Sequence, residues 1–149
     1  MALHAVRKPF ATVVLVVRDA EPRIVRSLES ALNQSLDSIQ VVVSDRGSRD
    51  RTVAMCRSIA ERDIRVDVIE NGEVDYAQAF DGALEQARGA YILAMAQDDW
   101  LAPGALAALE RAVKMHDLEL AIMALSVDER MGAGGHASHV LRFLSLIHI

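Results

Sequence analysis

The strongest constraint on the fold is a regular alternation between short apolar runs and amphipathic segments. The run ATVVLVV at residues 11–17 is continuous and β-branched, which is typical of a central parallel strand. Runs of this kind predict strands near residues 12–17, 40–44, 65–69, 91–96 and 118–125. Strands that alternate with helices through short loops form a mostly parallel sheet covered on both faces. We therefore predict an α/β, Rossmann-like three-layer sandwich with strand order 3-2-1-4 at its core.

Apolar residues spaced three and four apart predict the intervening helices, which begin near residue 22, near residue 50, at residue 75 and at residue 103. The second helix is predicted to bury the single cysteine, Cys56, and to be capped by Ser48 or Asp50. The third runs to residue 88, and Gly89 suits the left-handed position that follows a helix.

Composition excludes several classes of protein. The 149 residues are predicted to form one domain, with 52% hydrophobic residues, 4% aromatic residues and a net charge of −5. The absence of a basic stripe argues against binding to nucleic acid or to a membrane surface. No apolar run reaches 18 residues, so no membrane span is predicted. Because the opening MALHAVRKPF lacks the apolar core of a secretory signal, we expect a cytoplasmic location.

Polar clusters follow three of the predicted strands. Asp19 follows the first strand, the turn at residues 45–48 follows the second, and Asp98 and Asp99 follow the fourth. The carboxyl ends of parallel strands share one edge of a sheet, and α/β folds bind ligands there, where the strand order reverses. A ligand site is therefore predicted between the first and fourth strands. The alternative is that these residues only form turns.

Asp98 and Asp99 are adjacent carboxylates at the end of a buried strand, where desolvation and mutual repulsion destabilise them. A cation relieves both effects, and Asp oxygens suit Mg²⁺ or Mn²⁺, which often bind carboxylates together with substrate phosphates. The pair therefore predicts a metal site. Alternatively, both residues cap the next helix, for which Pro103 is a suitable first residue.

Three segments resemble the motifs of family 2 glycosyltransferases in order and spacing, over about residues 10–115. The first strand followed by RDAEP resembles the family's S-V-I-I-P-x-Y-N. The segment LESALNQSLDSIQVVVSDRGSRDRT resembles a pattern that ends in V-V-D-D-G-S-x-D-x-T, and LEQARGAYILAMAQDDWLAPGAL resembles one that contains D-x-D-D. The resemblance implies the GT-A fold of nucleotide-diphospho-sugar transferases.

The same resemblance implies which residues form the site. It places the nucleotide sugar at Val17, Asp19, Asp45, Ser48 and Asp98, and a Mg or Mn ion at Asp98 and Asp99. The sequence departs from the family pattern at Ala96 (first acid of D-x-D), at Arg46 (second acid of D-D-G-S), at Arg18-Asp19 (Tyr-Asn in the family) and at Phe80-Asp81 (Arg-Asn in the family).

The implied reaction transfers a sugar from a nucleoside diphosphate sugar to an acceptor hydroxyl, with inversion and with a divalent cation. The acceptor is expected to be a saccharide or a lipid-linked sugar of a cell envelope polysaccharide. The family carries its general base further along the chain, so residues 1–143 are predicted to be a truncated GT-A domain that is inactive alone. Residues 144–149, LSLIHI, look like a translated sequencing adapter and are predicted to be a non-native tail.

Two other functions stay open from the sequence. A degenerate domain that binds a nucleotide or a partner without turnover is consistent with Ala96 and Arg46. A signalling receiver domain is consistent with the acidic turn after the first strand. Its phosphoacceptor, however, should follow the third strand, whereas Asp45 follows the second, and Lys114 lies inside a helix.

Overall fold

A mixed sheet with helices on both faces forms the part of the chain that this computed structural model describes, namely residues 8–117, 120–125 and 142–148. The strands are β1 (Ala11–Val17), β2 (Ile39–Asp45), β3 (Val66–Glu70), β4 (Tyr91–Ala96), β5 (Leu120–Leu125) and β6 (Arg142–His148). The helices are α1 (Ile24–Leu32), α2 (Thr52–Ala60), α3 (Tyr76–Gln86) and α4 (Ala105–His116).

The sheet has the order β3-β2-β1-β4-β6-β5. The pairs β2–β3, β1–β2 and β1–β4 are parallel, while β6 is antiparallel to both β4 and β5. The predicted core order 3-2-1-4, with the first and fourth strands adjacent, is confirmed. The predicted domain boundary after residue 143 falls inside β6, so residues 144–148 are counted with the sheet here. Their non-native origin stays a prediction.

β1 lies between β2 and β4 in the sheet, and every one of its residues is buried. Val13 and Leu15 belong to a core cluster that also contains apolar residues of α1, α2 and α4. Val14 and Val16 point the other way, into a second cluster that contains Ala79 of α3. Side chains of a strand alternate between its faces, so a continuous apolar run supplies both cores at once. The predicted three-layer sandwich is confirmed.

Two local predictions for the helices have opposite outcomes. Cys56 is fully buried in α2, as expected. The prediction that Gly89 ends α3 in a left-handed conformation is wrong, because α3 ends at Gln86 and Gly89 has no positive φ. Gly89 is required instead by close packing, since a Cβ there would lie 2.4 Å from the backbone nitrogen of Thr12. Its own N–H donates to the Thr12 hydroxyl at 2.9 Å.

Candidate functional site

A cleft opens where the carboxyl ends of β1 and β4 meet. In the register, Val16 of β1 lies opposite Ala96 of β4, and Val17 lies opposite Asp45 of β2, so the three following loops start side by side. The cleft has a volume of about 680 Å³ and is lined by Val16, Arg18, Asp19, Arg46, Tyr76, Ala94, Met95, Ala96, Gln97 and Asp99. The predicted position of a ligand site, between the first and fourth strands, therefore coincides with a cavity in the structure.

Asp45 ends β2 and folds the next turn around its own carboxylate. Its Oδ2 accepts hydrogen bonds from the backbone N–H of Gly47 at 2.9 Å and of Ser48 at 3.1 Å, and its Oδ1 accepts one from the Ser48 hydroxyl. Gly47 has a φ of +85°, and a Cβ there would lie 3.0 Å from the side chain of Glu73, so glycine suits the turn. Because Asp45 is only 3% exposed, its carboxylate shapes the turn from within.

The loop after β1 is bound to the loop after β2 through its backbone. The N–H of Asp19 donates to the Ser48 hydroxyl at 2.9 Å, and the Asp19 carboxylate accepts from the N–H of Arg49 at 2.7 Å. The N–H of Ala20 donates to the Thr52 hydroxyl at 2.7 Å. Asp19 has a φ of +47°, a conformation that Asp tolerates better than most residues. The side chains of the second loop thus fix the position of Asp19 on the cleft wall.

Glu21 and Asp50 continue this connection away from the cleft. The N–H of Glu21 donates to Asp50 at 3.1 Å, and the Glu21 carboxylate accepts from the N–H of Arg51 at 3.0 Å. The Arg51 guanidinium also binds Glu21 and holds the pKa of its carboxyl below the usual value. The prediction that Ser48 or Asp50 occupies the cap of α2 is wrong, because Arg51 is the N-cap residue and makes no side-chain cap bond. Asp50 lies one residue earlier and accepts from the N–H of Thr52 at 2.9 Å.

Gln97 joins the loop after β4 to the loop after β1. Its side-chain oxygen accepts from the N–H of Arg18 at 2.8 Å, and its carbonyl accepts from the Ser27 hydroxyl at 2.8 Å. Gln97 is not among the residues that the sequence predicts for the site. The available signal was a polar side chain directly after a buried strand, next to the two carboxylates that drew the metal prediction.

Asp98 and Asp99 occupy different positions after β4. Asp99 lines the cleft, and its Oδ2 accepts from the N–H of Ala96 at 3.2 Å. The Asp98 side chain is 34% exposed, and its Oδ2 lies 3.4 Å from Nη1 of Arg23. The alternative that both residues cap the next helix is wrong, because α4 begins at Ala105, well beyond them.

The two carboxylates are a sparse ligand set for a metal ion. Among the described residues, no group of three or more His, Cys, Asp or Glu side chains lies close enough together to hold one. Ala96 removes the third acid that the family pattern has in this segment. Hard carboxylate oxygens still fit Mg²⁺ or Mn²⁺, provided that phosphates and water complete the coordination shell. The donor set therefore fits a cation that binds together with a phosphorylated ligand.

Glu73 forms ion pairs with two arginines, of which Arg18 lines the cleft. Oε1 of Glu73 lies 2.5 Å from Nη2 of Arg49 and 3.5 Å from Nη2 of Arg18. Arg49 first, and Arg18 after it, lower the pKa of the Glu73 carboxyl below its ordinary value. Arg46 also lines the cleft, but no hydrogen bond or ion pair joins its guanidinium to another residue in the described ranges. Its positive charge is therefore available to a ligand.

The predicted nucleotide-sugar residues differ in their access to the cleft. Asp19 lines it directly, whereas Val17 is 1% exposed and Asp45 is 3% exposed. Ser48 and Asp98 are partly buried beside the same loops. The structure thus brings all five predicted residues to one edge of the sheet, while their contacts with a ligand stay a prediction.

The parallel core and the cleft at the reversal of strand order define the class of protein, which is the GT-A type of α/β domain. The family model described as Glycosyl transferase family 2 matches residues 12–145. The chain therefore belongs to this family, as the motif resemblance implied. Family membership also makes the receiver-domain alternative wrong.

Solved structures support the same fold. The chain is similar to Staphylococcus aureus TarS in complex with UDP-GlcNAc, with a TM-score of 0.74, 19% identity and coverage of 84% of this chain and 37% of that chain. It is also similar to the mannosyltransferase PcManGT from Pyrobaculum calidifontis in complex with GDP-Man and Mn²⁺, with a TM-score of 0.65, 26% identity and coverage of 77% and 34%.

Among curated proteins, the chain is 31% identical over 100 residues to a chondroitin synthase of Escherichia coli. The matched segment covers 67% of this chain and 15% of that protein. The chain spans about a third or less of the length of the curated relatives that it matches first. In the part of the chain that the structure describes, no helix has both the length and the apolar character needed to cross a membrane.

Proposed function

We propose that the cleft binds the diphosphate and nucleoside of a nucleoside diphosphate sugar, and that the protein containing this domain transfers the sugar to an acceptor hydroxyl. The observation that carries the proposal is the convergence of the loops after β1, β2 and β4 on one cleft, which is lined by two arginines, Arg18 and Arg46, and by two carboxylates, Asp19 and Asp99. The similar TarS structure is a complex with UDP-GlcNAc and the similar PcManGT structure is a complex with GDP-Man, which supports a donor of this class.

Different residues are proposed to bind the nucleoside and the cation. Asp19 faces the nucleoside, and the turn held together by Asp45 and Ser48 keeps the Asp19 loop in place. Asp98 and Asp99 hold a Mg²⁺ or Mn²⁺ ion jointly with the diphosphate. A bound cation stabilises the negative charge that develops on the departing diphosphate. Manganese in the PcManGT complex supports the use of a divalent cation.

The acceptor and the general base are proposed to act outside this cleft. We propose an inverting displacement in which the acceptor hydroxyl attacks the anomeric carbon while the diphosphate leaves. The acceptor is a saccharide or lipid-linked sugar of an envelope polysaccharide. The general base is predicted to lie beyond this chain, so the 149-residue chain should bind a donor without transferring its sugar. Robust sugar transfer by the purified chain would contradict that expectation.

Calorimetric titration of a nucleoside diphosphate with and without Mn²⁺ tests the joint site. If both ligands share it, each tightens the binding of the other by the same factor. Asp98→Ala is expected to abolish this coupling. Asp99→Ala should weaken it less, because one Asp99 oxygen is already bonded to the N–H of Ala96. Asp37→Ala is the matched control, since this exposed carboxylate lies at the amino end of β2, at the opposite edge of the sheet.

One alternative function rests on a specific observation. Ala96 and Arg46 stand where the family pattern has acids, which favours a domain that binds a nucleotide without catalysing transfer. In that case, the nucleotide binds with equal affinity in the presence and absence of Mn²⁺. Equal affinities in the two titrations would therefore reject the joint metal site and support this alternative.

A further inference from the structure

One face of α1 holds the loop that follows β4. The Ser27 hydroxyl donates to the carbonyl of Gln97 at 2.8 Å, and the Ser30 hydroxyl accepts from the N–H of Leu101 at 3.0 Å. Ser27 and Ser30 are three residues apart in the helix, so both hydroxyls lie on the same face. The backbone of the loop is therefore fixed on either side of the two carboxylates that are proposed to hold the cation.

Two arginines at the start of α1 contact side chains of the same loop. The Cζ atom of Arg26 lies 3.6 Å from the centroid of the Trp100 ring. Nη1 of Arg23 lies 3.4 Å from Oδ2 of Asp98 and donates a hydrogen bond to it. The backbone of Arg23, which is the N-cap residue of α1, is fixed as well, because its N–H donates to the carbonyl of Ala20 at 2.9 Å. Arg23 therefore contacts Asp98 from a fixed helix start.

This contact separates Asp98 from its neighbour Asp99. Among the described residues, Gln97 and Asp99 line the cleft, whereas Asp98 does not. Asp98 lies beside the cleft instead, where its carboxylate is paired with Arg23. A guanidinium on a carboxylate hinders the binding of a cation there for two reasons. It occupies one carboxylate oxygen, and its positive charge repels the incoming ion.

We infer that Arg23 is a positioning residue that competes with the divalent cation for the Asp98 carboxylate. This inference rests on the proposed function, and it concerns a residue outside the three segments that resemble the family motifs. A cation with two positive charges displaces the single charge of Arg23 when a diphosphate supplies further ligands. The released side chain then turns to solvent, to which 66% of it is already exposed. Arg23 thus lowers the affinity of the site for a cation, so that the cation is retained only together with the diphosphate.

Calorimetric titration of GDP or UDP at a series of Mn²⁺ concentrations tests the inference on the intact chain. The Mn²⁺ concentration that gives half of the maximal tightening of nucleotide binding reports the affinity for the cation. Arg23→Gln removes the competing charge, and we expect this concentration to fall by about two- to fivefold, because exposed ion pairs are weak. Arg23→Lys keeps the charge and should remain closer to the parent chain. Arg26→Gln is the matched control and should leave the concentration nearly unchanged, since it removes the same charge from the same helix but from above Trp100.

The side-chain Nε–H signal of Arg23 in NMR spectra gives a direct readout of the exchange of partners. Binding of Mg²⁺ together with GDP or UDP should move this signal towards that of a solvated arginine, whereas the nucleotide alone should not. The Nε–H signal of Arg26 serves as the reference and should move less. Urea unfolding midpoints of all three variants should match that of the parent chain, because both arginines are exposed.

The outcomes distinguish the inference from the proposed function. An unchanged Mn²⁺ concentration in Arg23→Gln, or an equal fall in Arg26→Gln, would overturn the inference and leave the proposed function standing. A rise in Arg23→Gln would also overturn it, because the guanidinium would then orient Asp98 for the cation. Equal nucleotide affinity with and without Mn²⁺ in the parent chain would overturn the inference together with the joint metal site. A lack of nucleotide binding under both conditions would overturn the proposed function as well.

Discussion

Replacing Asp45 by alanine tests whether this residue shapes the site or contacts the ligand. The Asp45 carboxylate accepts from the N–H of Gly47, from the N–H of Ser48 and from the Ser48 hydroxyl. Because the residue is 3% exposed, a substitution leaves little surface on which water can replace these bonds. Asp45→Ala therefore removes three hydrogen bonds from a turn that also holds the loop of Asp19.

The expected loss follows from this count. A hydrogen bond contributes about 1 kcal/mol net, so the three bonds predict a loss of about 3 kcal/mol in the free energy of unfolding. In a chain of this size, 1 kcal/mol shifts the melting temperature by about 2–4 °C, which predicts a fall of about 6–12 °C for Asp45→Ala. Asp45→Asn keeps one side-chain oxygen, so its loss should be about half as large.

Urea unfolding and calorimetric nucleotide binding, measured on the same samples, give the answer. Asp37→Ala is the control, because an exposed carboxylate remote from the turn should change the stability by less than about 0.5 kcal/mol. A loss below about 1 kcal/mol in Asp45→Ala, together with abolished nucleotide binding, would refute the structural role. That combination would mean that the carboxylate contacts the nucleotide directly.

Three further predictions concern other parts of the fold. Burial, and after it the charges of nearby carboxylates, raises the pKa of the Cys56 thiol from 9.0 to about 12. Its thiolate fraction at pH 8 should therefore be roughly a thousandfold below that of an ordinary thiol. A disulfide reagent that reacts as fast with the native chain as with the unfolded chain would contradict this. Gly89→Ala should lower the free energy of unfolding by about 3 kcal/mol, because the new Cβ would lie 2.4 Å from a backbone atom of Thr12, and a melting temperature within about 2 °C of the parent value would argue against that contact. The lowered pKa of Glu73 means that its ion pairs are complete above its usual value of 4.5 and are lost as the pH falls through the lowered value; Arg49→Gln should therefore return this pKa toward 4.5 in an NMR titration, and an unchanged pKa would remove Arg49 as its cause.

The order of the core strands could be predicted because its signals are local. A continuous β-branched run such as β1 can bury both of its faces only between two layers. Parallel neighbouring strands then require helical crossovers, which cover both faces of the sheet. The acidic turns after β1, β2 and β4 fall at the same edge for the same reason, so the location of the cleft followed from the alternation alone. The predicted starts of α1 and α4 differ from the structure, because both helices begin two residues after the prolines that the sequence favours as their first residues.

The sequence could not predict which polar residues shape the site and which ones face the cleft. Asp45 and Asp19 look equivalent in the sequence, yet one is buried under its own turn and the other faces the cleft. Gly89 looks like the end of a helix, and only its approach to β1 shows why glycine is needed. Such differences depend on contacts between residues that are far apart in the chain, and no local pattern encodes them.

The sequence by itself determined the family, the strand order of the core and the edge of the sheet that carries the site, because apolar periodicity and motif spacing are written along the chain. Only the tertiary structure decided which polar side chains reach the cleft. It placed Arg46, which follows β2, and Tyr76, which begins α3, on one cavity, and it joined Gln97 to the backbone of Arg18. The physical reason is that a side chain's exposure and its hydrogen-bond partners are set by the neighbours that folding brings to it.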